Sequence, residues 1–404
     1  MARWNPFRKS EKKAASTSLD ILREIFGGSA VKSGVAVNWQ TALQVTAVLA
    51  CTRVIAEGIA QMPLKLYREK KDGGREVATG HRIHKIIHRK PNDSQTSFQW
   101  RETMLLHAAL TGNAFCYKNR VRGEVVELLP LLPSQITVKR LPNWDVEYEY
   151  RHENGGKNIF KKRDVFTLAG PSWDTVAGLD MVRQAREAVG LSIATEEHGA
   201  TFFGNGASPA SVITSPGGQP TDEQLKAMRA AFDSVHSGAG NHNKNLFLFG
   251  GAKWESMASE NDKAQFIETR RFQIEEVCRA FRVFPIMVMQ ADKASTFASA
   301  EQFFLAHAIH TLGPWAERLE QSIQRDLLDE LDEPDLFAKL SMQGLLRADA
   351  KTRAEFYKSG ITDGWMTRNE ARVLEDFNPL DGLDEPLLPL NMGSGAGTLE
   401  DATP

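Results

Sequence analysis

Three histidines, His81, His84 and His88, are spaced so that they share one face of a short helix. Imidazole nitrogens are common zinc ligands, so this spacing could in principle hold that metal. However, no cysteine or carboxylate is placed to complete a set of ligands. The neighbouring side chains are basic: Arg82, Lys85, Arg89 and Lys90. We therefore interpret the segment as a basic face exposed to solvent and predict no metal site.

Two further groups contain residue types that serve in acid–base or nucleophilic catalysis. Glu196, Glu197 and His198 are consecutive in the middle of a helical segment, and we interpret them as polar helix surface. Ser172 precedes Asp174 by two residues, which suits a loop leading into a helix, and it has no histidine partner. Neither group supports a catalytic site.

The sequence lacks the short motifs of several enzyme classes. A phosphate-binding P-loop needs glycine, four residues, and then Gly-Lys followed by serine or threonine. The single Gly-Lys pair, Gly156-Lys157, has Arg151 and Asn158 at the other two diagnostic positions. Gly-x-Ser-x-Gly and His-Glu-x-x-His are also absent. We therefore predict that the chain is not an enzyme and uses no cofactor, although an unfamiliar active site would leave no such signature.

The charge of the chain is divided unevenly along its length. The 404 residues carry a net charge of −2, and their 42% hydrophobic and 25% charged content is ordinary for a globular protein. Residues 329–404 contain 16 acidic and 7 basic side chains, whereas residues 1–328 contain 35 acidic and 42 basic ones. We interpret the acidic run LLDELDEPD, which ends at Asp335, as a solvated helix end.

The cysteines and the hydrophobic segments indicate the cellular compartment. Cys51, Cys116 and Cys278 are far apart, each within an apolar pattern, which favours reduced thiols in a cytosolic protein. The basic start MARWNPFRKSEKK is not followed by an apolar segment, so we do not expect a secretory signal. No run of about 18 apolar residues occurs, so we expect no membrane span.

Two long helices joined by a polar loop dominate residues 260–328. Apolar residues recur at helical spacing over 260–281, and a second helical pattern extends over about 30 residues up to residue 328. Gly313 and Pro314 lie inside the second pattern, where proline removes a backbone hydrogen bond, and we predict a kink there. The loop between the helices, residues 290–296, is small and polar.

The remaining patterns predict an α+β protein. Residues 36–170 contain helices, including one over 41–59, followed by a mainly antiparallel sheet. A long helix over 179–203 leads into a compact insert, 204–259. After residue 328 we expect a strand or turn at 337–340 and two further helices, 348–360 and 367–374. Capping boxes are predicted at Thr96 with Gln99 and at Thr367 with Glu370.

Seven separated segments occur in an order that resembles the portal proteins of tailed bacteriophages, of the long-tailed siphovirus type. They are Thr111–Phe115, Leu128–Ser134, Asp164–Leu168, Phe202–Pro209, Arg279–Pro285, Thr311–Pro314 and Gly360–Arg372. No single segment is specific, but together they extend the resemblance from about residue 38 to about residue 390. Phe284, where the family often has proline, and Leu383, where a second glycine is usual, depart from the pattern.

The resemblance implies a portal-type ring subunit with a fixed order of parts. These are a flexible N-terminal arm (1–35), an α/β wing (36–178), a first stem helix (179–203), a clip formed by a small α/β insert (204–259), a second stem helix (260–286), a tunnel loop (287–297), a kinked tunnel helix with its return to the wing (298–339), a helical crown (340–390) and a disordered tail (391–404).

The resemblance also implies function and partners. Twelve copies would form a ring at a capsid vertex of the virion, assembled in the host cytoplasm, and double-stranded DNA would pass through it during packaging and ejection. The implied partners are the terminase large subunit, a head-completion adaptor and the major capsid protein. DNA would pass the tunnel-loop residues Gln290, Asp292, Lys293, Ser295 and Thr296. Terminase and adaptor would contact the clip residues Gln224, Lys226, Arg229, Asn243 and Lys244.

Two other hypotheses remain open from the sequence alone. The chain could be a nucleic-acid-processing enzyme with an unfamiliar site, using the histidine face at 81–88. It could instead be a monomeric scaffold or adaptor of the virion that binds partners through its acidic C-terminal part. The assembly state tests the three hypotheses, because only the portal hypothesis requires a ring.

Overall fold

The chain divides into two compact units, Met1–Leu340 and Ser341–Pro404. A computed structural model describes residues 31–71, 74–204, 211–214, 221–223, 226–227, 230, 253–256, 260–290, 297–331, 333–342, 350–375 and 377–387. Helices and antiparallel strands both contribute to the first unit, which agrees with the predicted α+β class. Among the described residues, no helix is long and apolar enough to cross a membrane.

The first unit begins with two helices where the sequence predicted one over 41–59. Helix α1 covers Trp39–Gln44 and helix α2 covers Thr46–Ala60. Val45 separates them because its backbone is extended, with φ −73° and ψ 113°. The Asn38 side chain accepts hydrogen bonds from two backbone N–H groups and so caps α1. The apolar residues of α2 are deeply buried, as their helical spacing in the sequence predicts.

Helices α3 (Arg82–His88) and α4 (Ser97–Thr111) follow a strand pair. The capping box predicted from Thr96 and Gln99 is present at the start of α4. Helix α4 ends at Gly112, whose φ of 79° is a left-handed conformation that glycine adopts without strain. Trp100 and Met104 are fully buried, so α4 forms the centre of the unit.

Nine strands of the first unit form three separate antiparallel sheets of three strands each, among the residues that the structure describes. The strands are β1 (Leu64–Glu69), β2 (Arg75–Val77), β3 (Asn113–Val121), β4 (Glu124–Leu131), β5 (Ile136–Arg140), β6 (Val146–Arg151), β7 (Lys157–Lys161), β8 (Val165–Ala169) and β11 (Leu336–Leu340). Their spatial orders are β11-β1-β2, β4-β3-β8 and β5-β6-β7. The antiparallel prediction is therefore correct, but the division into three sheets was missed.

A proline-containing turn separates two of these sheets. A 3-10 helix, Pro133–Gln135, follows β4, so the chain leaves the first ladder before β5 begins the next. Phe115, Tyr148 and Val165 then pack together across the two sheets and are nearly inaccessible to solvent. The rings of Phe115 and Tyr148 meet edge to face, with centroids 5.7 Å apart.

Strand β11 returns to the beginning of the unit and pairs with β1. Leu64 faces Leu340 and Arg68 faces Leu336 in the antiparallel register. The strand or turn predicted at 337–340 is therefore a strand. Its pairing fixes the end of the long helical segment to the first sheet.

The predicted long helix over 179–203 consists of two helices, α5 (Met181–Gln184) and α6 (Arg186–Gly204). Ala185 separates them. Strands β9 (Ser211–Thr214) and β10 (Lys253–Ser256) pair in antiparallel fashion within the insert. Helix α7 (Glu260–Phe281) then runs beside α6, where Gly199 lies against the ring of Phe266.

Helix α7 ends five residues before the predicted end of the second stem segment, and a 3-10 helix, Pro285–Val288, follows it. The second long helical segment contains α8 (Phe297–His307), a π-helical turn (Ala308–Leu312), α9 (Gly313–Ile323) and a second π-helical turn (Gln324–Leu328). The predicted helical region is therefore present, with two local departures from α-helical hydrogen bonding.

The second unit contains α10 (Ala350–Thr362) and α11 (Arg368–Leu374). The capping box predicted from Thr367 and Glu370 is present at the start of α11. Asn369 is buried and holds the segment after α11 in place, because its amide donates to the carbonyl of Leu380 and to the carboxylate of Asp384.

Candidate functional site

Most of the side chains predicted to contact DNA or partners lie outside the described residues. This applies to Asp292, Lys293, Ser295 and Thr296 of the tunnel loop and to Gln224, Arg229, Asn243 and Lys244 of the clip. Gln290 is described and half-buried, and its backbone N–H donates to the carbonyl of Pro285. Lys226 is exposed on a helical segment. The roles of all ten residues stay predictions.

The described start of the tunnel loop is a tight and partly strained corner. Met289 has a φ of 63° and its side chain is 94% exposed. Phe284, one of the departures from the family pattern, packs its ring against Phe303 of α8 with centroids 5.8 Å apart. The aromatic contact joins the two ends of the loop segment, so Phe284 has a packing role in this chain.

A second corner connects α7 to the loop at Arg282. Arg282 has a φ of 57°, a left-handed conformation that usually requires glycine or asparagine. The N–H of Val283 donates to the carbonyl of Cys278, which closes the end of the helix. The hydroxyl of Thr311 donates to the carbonyl of Arg282 over 2.6 Å, so the π-helical turn holds this corner in place.

Gly313 and Pro314 directly follow the π-helical turn and form the first turn of α9. The helical backbone is continuous here, since the N–H of Gly313 donates to the carbonyl of Ala308, and Pro314 contributes no N–H to the next hydrogen bond. A π-helical turn and a proline are two known causes of helix kinks. The structure thus provides the cause of the predicted kink, while the change in helix direction stays a prediction.

Helix α8 and the π-helical turn that follows it expose large apolar side chains. Phe304, Leu305 and Ile309 are 58%, 50% and 54% exposed, and Phe303 is partly exposed beside them. Large apolar side chains exposed next to one another are typical of a surface that another protein covers. Within the described part of one chain, Phe303 contacts Phe284, whereas Phe304, Leu305 and Ile309 remain at least half exposed.

The acidic run after α9 is paired with basic side chains of strands β1 and β3. Glu330 forms ion pairs with Lys118 and Arg120, and Arg68 forms ion pairs with Glu333 and Asp335. The interpretation of this run as a solvated helix end is therefore wrong for these three carboxylates. The charge difference between the two parts of the sequence is partly neutralised inside the first unit, which weakens the hypothesis of an acidic adaptor surface.

Comparison with known proteins identifies the family. The phage portal protein family model matches residues 46–376. The chain belongs to the phage portal protein family. Its role is accordingly that of a portal protein at the capsid vertex.

Two curated portal relatives cover most of the chain. The probable portal protein of Streptomyces phage phiC31 is 32% identical over 379 residues, which cover 91% of this chain and 82% of that protein. The portal protein of Enterobacteria phage HK97 is 29% identical over 352 residues, which cover 86% of this chain and 82% of that protein.

Solved structures agree with the portal fold. A chain of the virion of a native gene transfer agent particle superposes with a TM-score of 0.59 at 21% identity, over 89% of this chain and 99% of that chain. An HK97 family phage portal protein from Corynebacterium diphtheriae superposes with a TM-score of 0.56 at 16% identity, over 78% of this chain and 99% of that one. At these identities the likeness supports the fold alone.

The structure corrects the prediction that the histidine segment, residues 81–88, is a basic face exposed to solvent. His84 is buried, and burial lowers its pKa below the usual histidine range. His81 accepts a hydrogen bond from the N–H of Ile83 and caps α3, and the ring of His88 is hydrogen-bonded to the carbonyl of Leu64. The histidines therefore pack and cap instead of facing solvent. Among the described residues, no group of three or more metal-ligating side chains could hold an ion.

The other two candidate groups behave as predicted. The hydroxyl of Ser172 donates to the carbonyl of Ala177 over 2.6 Å, within a loop that leads into α5. Glu196, Glu197 and His198 are exposed on α6. Neither group has the buried acid–base geometry of a catalytic site.

The three cysteines of the portal chain are free and buried. The sulfur atoms of Cys51 and Cys278 are 3.8 Å apart, so α2 and α7 meet at this point. Sequence analysis placed both residues in apolar patterns but missed their contact. The two residues are 227 positions apart, and spacing alone carries no signal for such a pairing.

Sequence analysis also missed a small cavity beside the corner at Arg282. The cavity has a volume of about 160 Å³, and Arg282, His310 and Arg318 line it together. Its apolar wall includes the buried residues Phe281 and Trp315. The one available sequence signal was an arginine, where glycine is usual, directly after the last residue of a long helix.

Proposed function

We propose that twelve copies of this chain form a ring whose central channel conducts double-stranded DNA into and out of a capsid. The observation that carries this proposal is the family match over residues 46–376. The apolar side chains exposed on α8 and the following π-helical turn support it, since contiguous exposed apolar side chains mark protein–protein contact surfaces.

The channel is proposed to contact DNA without selecting its sequence. Contacts to phosphate groups position a protein on DNA but carry no base information, whereas many such contacts give tight, salt-dependent binding. The tunnel loop has polar side chains and, at Asp292 and Lys293, two opposite charges. This composition suits a surface that DNA slides past. The sequence contains no P-loop, so a separate terminase ATPase would supply the energy for packaging.

The clip is the proposed docking surface for the terminase large subunit and for a head-completion adaptor, and the major capsid protein is the proposed partner at the ring's periphery. Assembly of the ring would take place in the host cytoplasm before it enters the virion. Lys226, which is exposed, is the described clip residue on which to test docking. The charge reversal Lys226→Glu should weaken capture of the terminase large subunit by the purified ring, and Lys90→Glu on the exposed wing surface is its matched control.

Mass photometry of the purified full chain, with class averages from electron microscopy, tests the ring. We expect a mass close to twelve times 44.9 kDa and end-on views of a ring with a central opening. A closed dimer with a concave pocket would contradict the proposal and favour a nucleic-acid enzyme.

Packaging assays test the tunnel loop separately. Lys293→Ala and Asp292→Ala should each alter DNA packaging or DNA retention while the ring still forms. If both variants package and retain DNA as the parent protein does, the proposed role of the loop is wrong.

A further inference from the structure

Arg282, His310 and Arg318 bring three nitrogen-rich side chains to one cavity of about 160 Å³, referred to below as the arginine cavity. Arg282 follows the last residue of α7, His310 lies in the π-helical turn, and Arg318 lies on α9. Three different elements thus converge on a small space. Arg282 and His310 are exposed and Arg318 is half-buried, so solvent and small ions can reach the cavity.

The two arginines have no acidic partner among the described residues. Neither guanidinium forms an ion pair or a hydrogen bond there, whereas Arg68, Arg120 and Arg325 all pair with carboxylates. Burial and the nearby charge of Arg282 lower the pKa of Arg318, which indicates that the two positive charges are close to each other. Two like charges held together without a counter-ion destabilise the protein unless an anion joins them.

Arg318 is oriented by an aromatic ring. Its guanidinium carbon lies 5.2 Å from the centroid of Trp315, within the range of a cation–π contact. Trp315 is itself buried, so the ring provides a rigid surface. An arginine stacked in this way keeps its N–H groups free, in the plane of the guanidinium, to bind a second group.

Arg282 is held in a strained conformation beside the arginine cavity. A non-glycine residue at a φ of 57° carries a steric cost that glycine would avoid. Strained residues of this kind cluster at ligand sites and switch regions, where the surrounding structure holds them in place. Here the hydrogen bond from Thr311 to the carbonyl of Arg282 has that role.

We propose that the arginine cavity binds a phosphate group. Arginine is the side chain best suited to this anion, because its planar fork of N–H donors matches two phosphate oxygens. A carboxylate from the acidic run of a second copy is less favoured, since Glu330, Glu333 and Asp335 are already paired within the chain. The group could come from the DNA backbone or from a free phosphate ion. Binding of a DNA phosphate depends on the proposed channel function, whereas binding of a free phosphate ion does not.

Thermal unfolding in inorganic phosphate tests the site directly. The unfolding midpoint of the purified full chain is measured against phosphate concentration, with chloride keeping the ionic strength constant. A ligand that binds only the native state raises the midpoint by mass action, so the titration yields an apparent Kd. Arg318→Gln and Arg282→Gly should each weaken phosphate binding about ten-fold or more, because each loses a charge-assisted hydrogen bond. The control is Arg163→Gln, an exposed arginine outside the arginine cavity.

Arg282→Gly gives a second signature that general damage to the fold would not reproduce. Glycine removes the backbone strain at φ 57°, so this variant should unfold at or above the parent midpoint in phosphate-free buffer. At the same time, this variant should lose most of the increase in unfolding midpoint that phosphate causes in the parent protein. A gain in intrinsic stability together with a loss of the phosphate response separates a ligand site from a structural one.

A DNA titration distinguishes the two sources. Binding of a short duplex is measured at several salt concentrations for the parent protein and both variants. If the group belongs to DNA, the slope of log K against log salt should fall by about 0.9 for each phosphate that a variant no longer binds. An unchanged slope together with a lost phosphate response would identify free phosphate as the source.

The proposal is overturned if inorganic phosphate leaves the midpoint of the parent protein unchanged, or if both variants respond to phosphate as the parent does. Ring formation is recorded by mass photometry on the same samples. A phosphate response without rings would contradict the proposed channel but support the phosphate site. Rings without a phosphate response would contradict the phosphate site but support the proposed channel.

Discussion

Lys118 donates a hydrogen bond from Nζ to Oε1 of Glu330 over 2.6 Å, and the two residues are 212 positions apart in the chain. The side chain of Lys118 is 1% exposed, and its Nζ also donates to the carbonyl of Asp326 over 2.7 Å. Burial lowers the pKa of Lys118, although Glu330 and Asp326 oppose the shift. A positive charge of strand β3 is thus compensated by acceptors in and just after the second π-helical turn.

This contact predicts a measurable loss of stability when Lys118 is replaced by methionine. The variant leaves the Asp326 carbonyl without its donor, and we expect the free energy of unfolding to fall by about 1–3 kcal/mol. Glu330 retains Arg120, which limits the loss. Urea unfolding measures the change. Lys90→Met is the control, since the Lys90–Asp93 pair is exposed to solvent and should contribute little to the free energy of unfolding.

A double variant checks whether the Lys118–Glu330 contact is responsible. Lys118→Met combined with Glu330→Gln should lose less stability than the sum of the two single variants, because the ion pair is already absent in each. Additive losses would mean that Lys118 acts through its apolar stem alone.

His307 makes the stability of the first unit dependent on pH. It is buried, and burial lowers its pKa to about 4 from the ordinary value of 6.5. Between these two pH values the unfolded chain binds a proton that the native chain does not, so acidification from pH 7 to pH 4 destabilises the fold. The slope approaches at most about 1.4 kcal/mol per pH unit for this group.

Replacing His307 by leucine should therefore make urea unfolding less sensitive to pH between 7 and 4. His198→Gln is the control, because that histidine is exposed on α6 and its loss should leave the slope as in the parent protein. His107, whose pKa burial also lowers to about 4, should retain part of the dependence in the His307→Leu variant. An unchanged slope in His307→Leu would show that folding does not lower the pKa of His307.

Gly178 is predicted to tolerate no side chain. A Cβ atom there would lie 1.9 Å from the carbonyl oxygen of Gly112 and 2.9 Å from the nitrogen of Gly170. Because both neighbours are backbone atoms, Gly178→Ala forces the loop and the end of α4 apart, and we expect a loss of about 1–3 kcal/mol or more. Gly80→Ala is the control, since nothing lies within 4 Å of the added methyl group. Equal stability of the two variants in urea unfolding would contradict this account.

The features that sequence analysis predicted correctly are those that local chemistry determines. The capping boxes at Thr96 and Thr367 depend on residues three positions apart, and both are present. Helix α7 begins at Glu260 and ends at Phe281 as its apolar spacing predicted. Each of these signals comes from residues that are close together in the sequence.

The errors arise where contacts are distant or where a single residue changes the backbone. An apolar stripe continues across Val45 and Ala185, so periodicity cannot detect the interruption at either residue. His84 looked exposed because its sequence neighbours are basic, yet the isoleucines around it are buried and carry it into the core. The left-handed conformation of Arg282 depends partly on Thr311, which is 29 positions away.

The exposed apolar side chains of α8 and the π-helical turn after it predict which variant blocks assembly of the ring. Phe304 and Ile309 are more than half exposed in the single chain, and burial of such side chains contributes about 1.5–3 kcal/mol each. Within a ring of identical subunits, a substitution that weakens one interface weakens every interface around the circle. The variant Phe304→Glu with Ile309→Glu should therefore remain monomeric by mass photometry, with a thermal unfolding midpoint close to that of the parent monomer.

Gln302→Glu is the matched control for this assembly prediction. Gln302 is exposed on the same helix, and its substitution adds a negative charge without removing an apolar side chain. It should form rings as the parent does. If Phe304→Glu with Ile309→Glu also assembles, α8 faces solvent in the ring, and its apolar side chains must then line the channel or contact another protein of the particle. If both variants fail to assemble, added charge alone blocks the interface, and the apolar argument for α8 is wrong.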